Sequence, residues 1–110
     1  MVEIKNGTEK QIAWANKIRE SEMSQINSNI KDAEMKRGFA LELNEKEGET
    51  EARNINIQHQ TERIAFYNYM KEQLAKVDDA KKWISEARGI AERAYHSNNG
   101  LRNGKIVKLI

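Results

Sequence analysis

Proline is absent from this chain of 110 residues, so no residue lacks its backbone donor and no proline ring breaks a helix from within. Six glycines are the remaining interruptions, and the other residues include many good helix formers: Ala, Glu, Lys, Gln and Arg. Cysteine is absent as well, which excludes disulfides, thiolate nucleophiles and every zinc site built on thiolate. That composition suits a reducing cytoplasm, the expected location. Aromatic residues make up only 6%, and the apolar runs extend over a few residues at most. The first ten residues, MVEIKNGTEK, lack the apolar stretch of a secretion signal. Neither export nor membrane insertion is expected.

What is present is charge. Charged residues reach 33% against 38% hydrophobic, a ratio that predicts a narrow apolar seam between elongated elements rather than a thick core. The length suits one domain over residues 1–110. The expected fold is all-α: an elongated three-helix bundle with a short irregular or β-like tail at its C-terminus.

Thr8 followed by Gln11 matches a capping box, so a first helix is expected from about residue 9 to about 45. Ile12, Ala15, Met23, Ile26, Ile30, Ala33 and Leu41 recur along it in steps built from threes and fours, with Arg19 and Arg37 on the same stripe. The Ser- and Asn-rich stretch at 21–29 and Gly38 are the expected places for a kink. NEKEGETEARN, residues 44–54, loses the stripe and reads as the turn, with Thr50 able to cap the next helix. Ile57, Ile64, Tyr67, Met70, Leu74 and Val77 then define a second helix over about 51–76. Asp78 and Asp79 supply a cap and a first-turn anion for a third, over about 79–95, carrying Ala80, Trp83, Ile84, Ala87, Ala91 and Ala94. Asn99-Gly100 and Asn103-Gly104 are turn signals that end the helical part, leaving a tail over 96–110. VEIK near the start and KIVKLI at the end alternate like short strands, and are expected to pair or to dock on the bundle.

No residue pattern assembles a reaction. There is no phosphate-cradling glycine loop, no Ser-His-Asp set and no Glu-x-x-His pair; His59 and His96 lack ligand-spaced companions, and the acids from Glu42 to Glu51 lack the spacing of a calcium loop. A non-enzymatic protein without metal or cofactor is the expectation. Trp14 and Trp83 are assigned to the core, one in the first helix and one in the last, as large side chains filling a thin seam, with a partner-binding hot spot as the alternative. FYNYM, residues 66–70, places three rings within five residues, and at about 100° per residue they cannot all face one core. With Tyr67 and Met70 in the seam, Phe66 and Tyr69 are expected to look outward beside Arg63 and Gln73 as a partner-binding patch.

Residues 1–55 hold nine Lys/Arg and eleven Asp/Glu, net −2, whereas residues 56–110 hold ten and six, net +4. The alternative reading is therefore nucleic-acid binding through Arg88, Arg93, Arg102, Lys105 and Lys108. A further alternative is a structural homo-oligomer that completes the core of its long first helix against a copy of itself.

TEKQIAWANKIRE and, well downstream, AKKWISEAR resemble a group of small proteins and domains of phages and other mobile elements, in which a TEKQIAWAEKIR-like helix is paired with a later AKWWID-like one. The match spans about residues 7–20 and 80–88; Lys82 replaces the first Trp of that pattern and Ser85 its Asp. The resemblance implies phage or mobile-element ancestry and no defined chemistry. On that ancestry the expected role is to dock on and modulate a host or element-encoded protein, with inhibition of a host defence nuclease as the sharpest form.

Overall fold

The computed structural model describes residues 2–97, with side chains described up to residue 95; the tail and every expectation placed on it lie outside the described residues. The fold is all-α and elongated, 58 × 23 × 20 Å. Helix α1 spans Glu9–Glu47 and α2 spans Glu51–Ala75, and the two form a long antiparallel hairpin. A short turn, α3 (Ala80–Lys82), a five-residue π-helical turn (Trp83–Ala87) and α4 (Ile90–Ser97) follow, packing on α1.

Local chemistry sets the boundaries. The Thr8 hydroxyl accepts from the Gln11 N–H at 3.1 Å while the Thr8 N–H donates to the Gln11 side chain at 2.9 Å, closing the capping box. Thr50 caps α2 by accepting from the Arg53 N–H at 3.1 Å, and the Asp79 carboxylate caps α3 by accepting from the Lys81 N–H at 2.9 Å. Gly48, at φ 85°, ends α1 in the left-handed region that a side chain resists. Arg53 ties this turn together: its guanidinium donates to the Gly48 carbonyl at 2.8 Å and to Asn44 at 3.1 Å.

Helix α1 runs unbroken, as one helix, through residues 21–29 and through Gly38. The third helix, by contrast, is not continuous. Arg88 is extended and Gly89 sits at φ 79°, so the chain leaves the helix between the π turn and α4. Three of the backbone groups at this break have partners: the Glu22 carboxylate accepts from the Gly89 N–H, and Arg93 donates to the carbonyls of Arg88 and Glu86 at 2.7 and 2.8 Å.

The core gathers Ile18 and Ile26 of α1, Phe66, Tyr67, Met70 and Leu74 of α2, and Trp83, Ala87, Ile90, Ala91 and Ala94. Ile4 joins it from the N-terminal segment, which docks on the bundle as expected of one terminus. Lys5 donates its N–H to the Asp78 carbonyl at 2.7 Å and accepts from the Ala80 N–H at 2.9 Å, a single parallel bridge onto the α2–α3 turn. Trp83 is fully buried and donates its indole N–H to the Val77 carbonyl at 3.0 Å.

Candidate interaction surface

The rings singled out by the sequence do not lie where their spacing suggested. Trp14 is 46% exposed, with the Arg88 guanidinium 5.4 Å over its ring, so it is a surface residue and not a core partner of Trp83. The reason is helical phase. Ala15, Ile18, Glu22, Ile26, Asn29, Ala33 and Ala40 are the buried positions of α1, and Trp14 stands about 100° away from its neighbour Ala15.

Phe66 is the second correction. It is 6% exposed, its ring 6.1 Å from that of Tyr67, within the cluster that includes Ile90, Ala91 and Ala94. The C-terminal half of α2 therefore buries two faces, because α3 and α4 complete a third wall there. Arg63, Tyr69 and Gln73 are only half-buried, and Arg63 stacks at 5.3 Å over the Tyr95 ring. An outward aromatic pair of Phe66 and Tyr69 does not exist.

Of the five basic residues, Arg102, Lys105 and Lys108 lie outside the described residues. Arg88 and Arg93 are exposed, but Arg93 is occupied in holding the break before α4, and Arg88 covers Trp14.

One cleft of about 600 Å³ opens between α1 and α4, lined by Ser21, Glu22, Gln25, Asn29, Asp32 and Glu92 among others. Its chemistry does not converge. The buried Asn29 amide offers an unpaired donor, which calls for an acceptor, while the surrounding carboxylates call for a cation. Among the described residues no group of three His, Cys, Asp or Glu side chains is placed to hold a metal ion, and no helix is long and apolar enough to cross a membrane.

The surface feature that sequence reasoning passed over lies farther along α1. Met35, Phe39 and Leu43 are 55%, 59% and 43% exposed, and they succeed one another at four-residue steps. Such a row lines up along one side of a helix. It faces away from α2, because the seam there is made by Ala33, Arg37, Ala40 and Asn44, which are buried or half-buried. Leu41 and Ile55 are also exposed, each on its own away from this row. No protein-family model, curated protein or solved structure matches the chain. The periodicity itself contained the signal: Met35, Phe39 and Leu43 keep helical spacing out of phase with the stripe Ile26, Ile30, Ala33, so α1 has two apolar faces.

Proposed function

We propose that the chain is a non-enzymatic docking protein that works through the outer row of its helical arm. The observation that carries this reading is the exposure of Phe39 between Met35 and Leu43 on a stretch of helix already paired on its other side. Large apolar side chains scattered singly on a surface are ordinary, but three in register at the end of an arm form a contiguous patch that water solvates poorly. Aromatic and Met side chains are enriched where proteins meet. The narrower partner class, a host or mobile-element protein such as a defence nuclease, is supported by the resemblance of residues 7–20 and 80–88 alone.

The test is site-specific photo-cross-linking in the producing cell. A photoreactive side chain at position 39 is expected to give discrete protein adducts, and the same group at Gln58, exposed on α2, is expected to give none. Absence of adducts at 39 overturns the reading. Nucleic-acid binding, the rival, predicts retention on duplex DNA that falls steeply with salt and does not respond to Phe39→Asp.

A further inference from the structure

The charged residues that border the apolar row carry an order that identifies its occupant. Along one side of α1 the sequence reads Asp32, Met35, Lys36, Phe39, Glu42, Leu43, Lys46, with Asp32–Lys36 and Glu42–Lys46 ion pairs at 2.9 and 2.8 Å. Taken in reverse, the same row gives a cation where the forward order has an anion, an anion where it has a cation, and an apolar residue against each apolar residue. Phe39 is the centre of this inversion.

We infer that the row is a self-association surface, occupied by α1 of a second copy running antiparallel, with the two-fold axis passing beside Phe39. The inference rests on the docking reading above and names the partner for it. In that arrangement Phe39 meets Phe39 of the other copy, Met35 meets Leu43, Lys36 meets Glu42 and Asp32 meets Lys46, and the symmetry makes each unlike pair twice. A parallel pairing would instead set each of the four charges against its own kind, which is repulsive. A two-fold contact is the commonest form of self-association and requires a surface complementary to itself. Exposed ion pairs are individually weak, so here they fix direction and register, and the apolar row provides the affinity. The row is about 21 Å long at 1.5 Å per residue, which places the contact at the small end of protein interfaces. The expected dimer is weak, dissociating at about 10 µM or above.

Sedimentation equilibrium of the full chain from about 10 µM to about 1 mM tests this, since mass action must shift a dimer of that strength across the range. Concentration-dependent dimerisation is expected, and Phe39→Asp is expected to weaken it on the order of 100-fold by placing two carboxylates at the centre, with unchanged helicity and melting of the monomer. The charge sets discriminate further. Asp32→Lys with Glu42→Lys, and separately Lys36→Glu with Lys46→Glu, should each dimerise about 10-fold less well alone, and the mixture of the two should recover a mixed dimer.

Because the chain has no cysteine, single introduced thiols report the axis directly. Phe39→Cys should oxidise rapidly to a linked dimer. Met35→Cys should link poorly with itself and well with Leu43→Cys, whereas Leu41→Cys, off the row, should not link. A chain that stays monomeric throughout overturns the inference alone, because adducts to another protein at position 39 would still uphold the docking reading. A dimer indifferent to Phe39→Asp, or Met35→Cys linking with itself as readily as with Leu43→Cys, overturns it as well.

Discussion

The two ends of the hairpin are built from the same two helices and stabilised in different ways. At the base, α3 and α4 complete a third wall, and Trp83, Tyr67, Leu74, Ile90 and Ile26 are almost completely removed from water. Among the described residues the arm has no third wall. The seam runs through Ala33 and Ala40, with Arg37 donating to the Thr61 hydroxyl at 3.4 Å and Asn44 to Asn54 at 2.9 Å. Gln60 is buried there with its carbonyl oxygen unpaired. Burial of apolar area is the dominant favourable term in folding, so the base supplies most of the stability. The arm is an extension of it, held by helix geometry and side-chain hydrogen bonds. What the arm gains is surface: with only one face of α1 used, the opposite face can carry Met35, Phe39 and Leu43.

The largest effect that would break this comparison concerns the tryptophans. Trp83→Ala is expected to cost about 3–5 kcal/mol, the range for deleting a large core ring, and it also strands the Val77 carbonyl. Trp14→Ala, at an exposed ring under the Arg88 guanidinium, should cost under about 1 kcal/mol. Denaturant melts of both variants and of the double mutant decide it, with additive losses expected because the rings belong to separate surroundings. Equal losses would mean that the ring of Trp14 is part of the core.

How far the sequence revealed these differences depended on how local each signal was. The caps at Thr8 and Thr50 were legible because their partners lie within three residues, and both bonds are formed, whereas the third cap falls on Asp79, one residue after the expected Asp78. The all-α class came from composition and period. Trp14 was misplaced because the phase of α1 is set by small or polar buried residues, Ala15, Glu22, Asn29 and Ala40, which a search for large apolar side chains discounts. Phe66 was misplaced because its burial comes from a helical segment more than twenty residues downstream, which no local spacing can reveal. The outer row was missed for a related reason: Met35, Phe39 and Leu43 fit a helix without fitting the seam.

A middle-sized effect is expected at the junction that holds α4 in place. Glu22 is buried and accepts the Gly89 N–H across 67 positions of sequence, tying the break in the third wall to α1. Glu22→Ala removes that acceptor and leaves the Gly89 donor unpaired, a loss of about 1–3 kcal/mol. Hydrogen exchange checks it: amides of α4 should exchange faster in the variant, while amides of the arm around Ala40 should be little changed. Equal acceleration in both regions would show that base and arm open together.

The smallest effect contrasts two glycines under the same substitution. Gly89 sits at φ 79°, and a Cβ added there would lie 3.2 Å from the Arg93 guanidinium that covers the freed carbonyls. Gly89→Ala should therefore destabilise by about 1–2 kcal/mol, the penalty for placing an L side chain in the left-handed region. Gly38 lies within the continuous α1, exposed, and a Cβ there would meet nothing within 4 Å. Glycine in a helix interior is about 0.8–1 kcal/mol less favourable than alanine, because it surrenders more backbone freedom on folding. Gly38→Ala should stabilise by about that amount and raise the melting temperature by roughly 3–6 °C for a chain of this size. Melts of dilute monomer measure both signs. Should Gly38→Ala leave the melting temperature unchanged while slowing hydrogen exchange in the arm, arm and base would be separate folding units, with the global melt reporting the base alone.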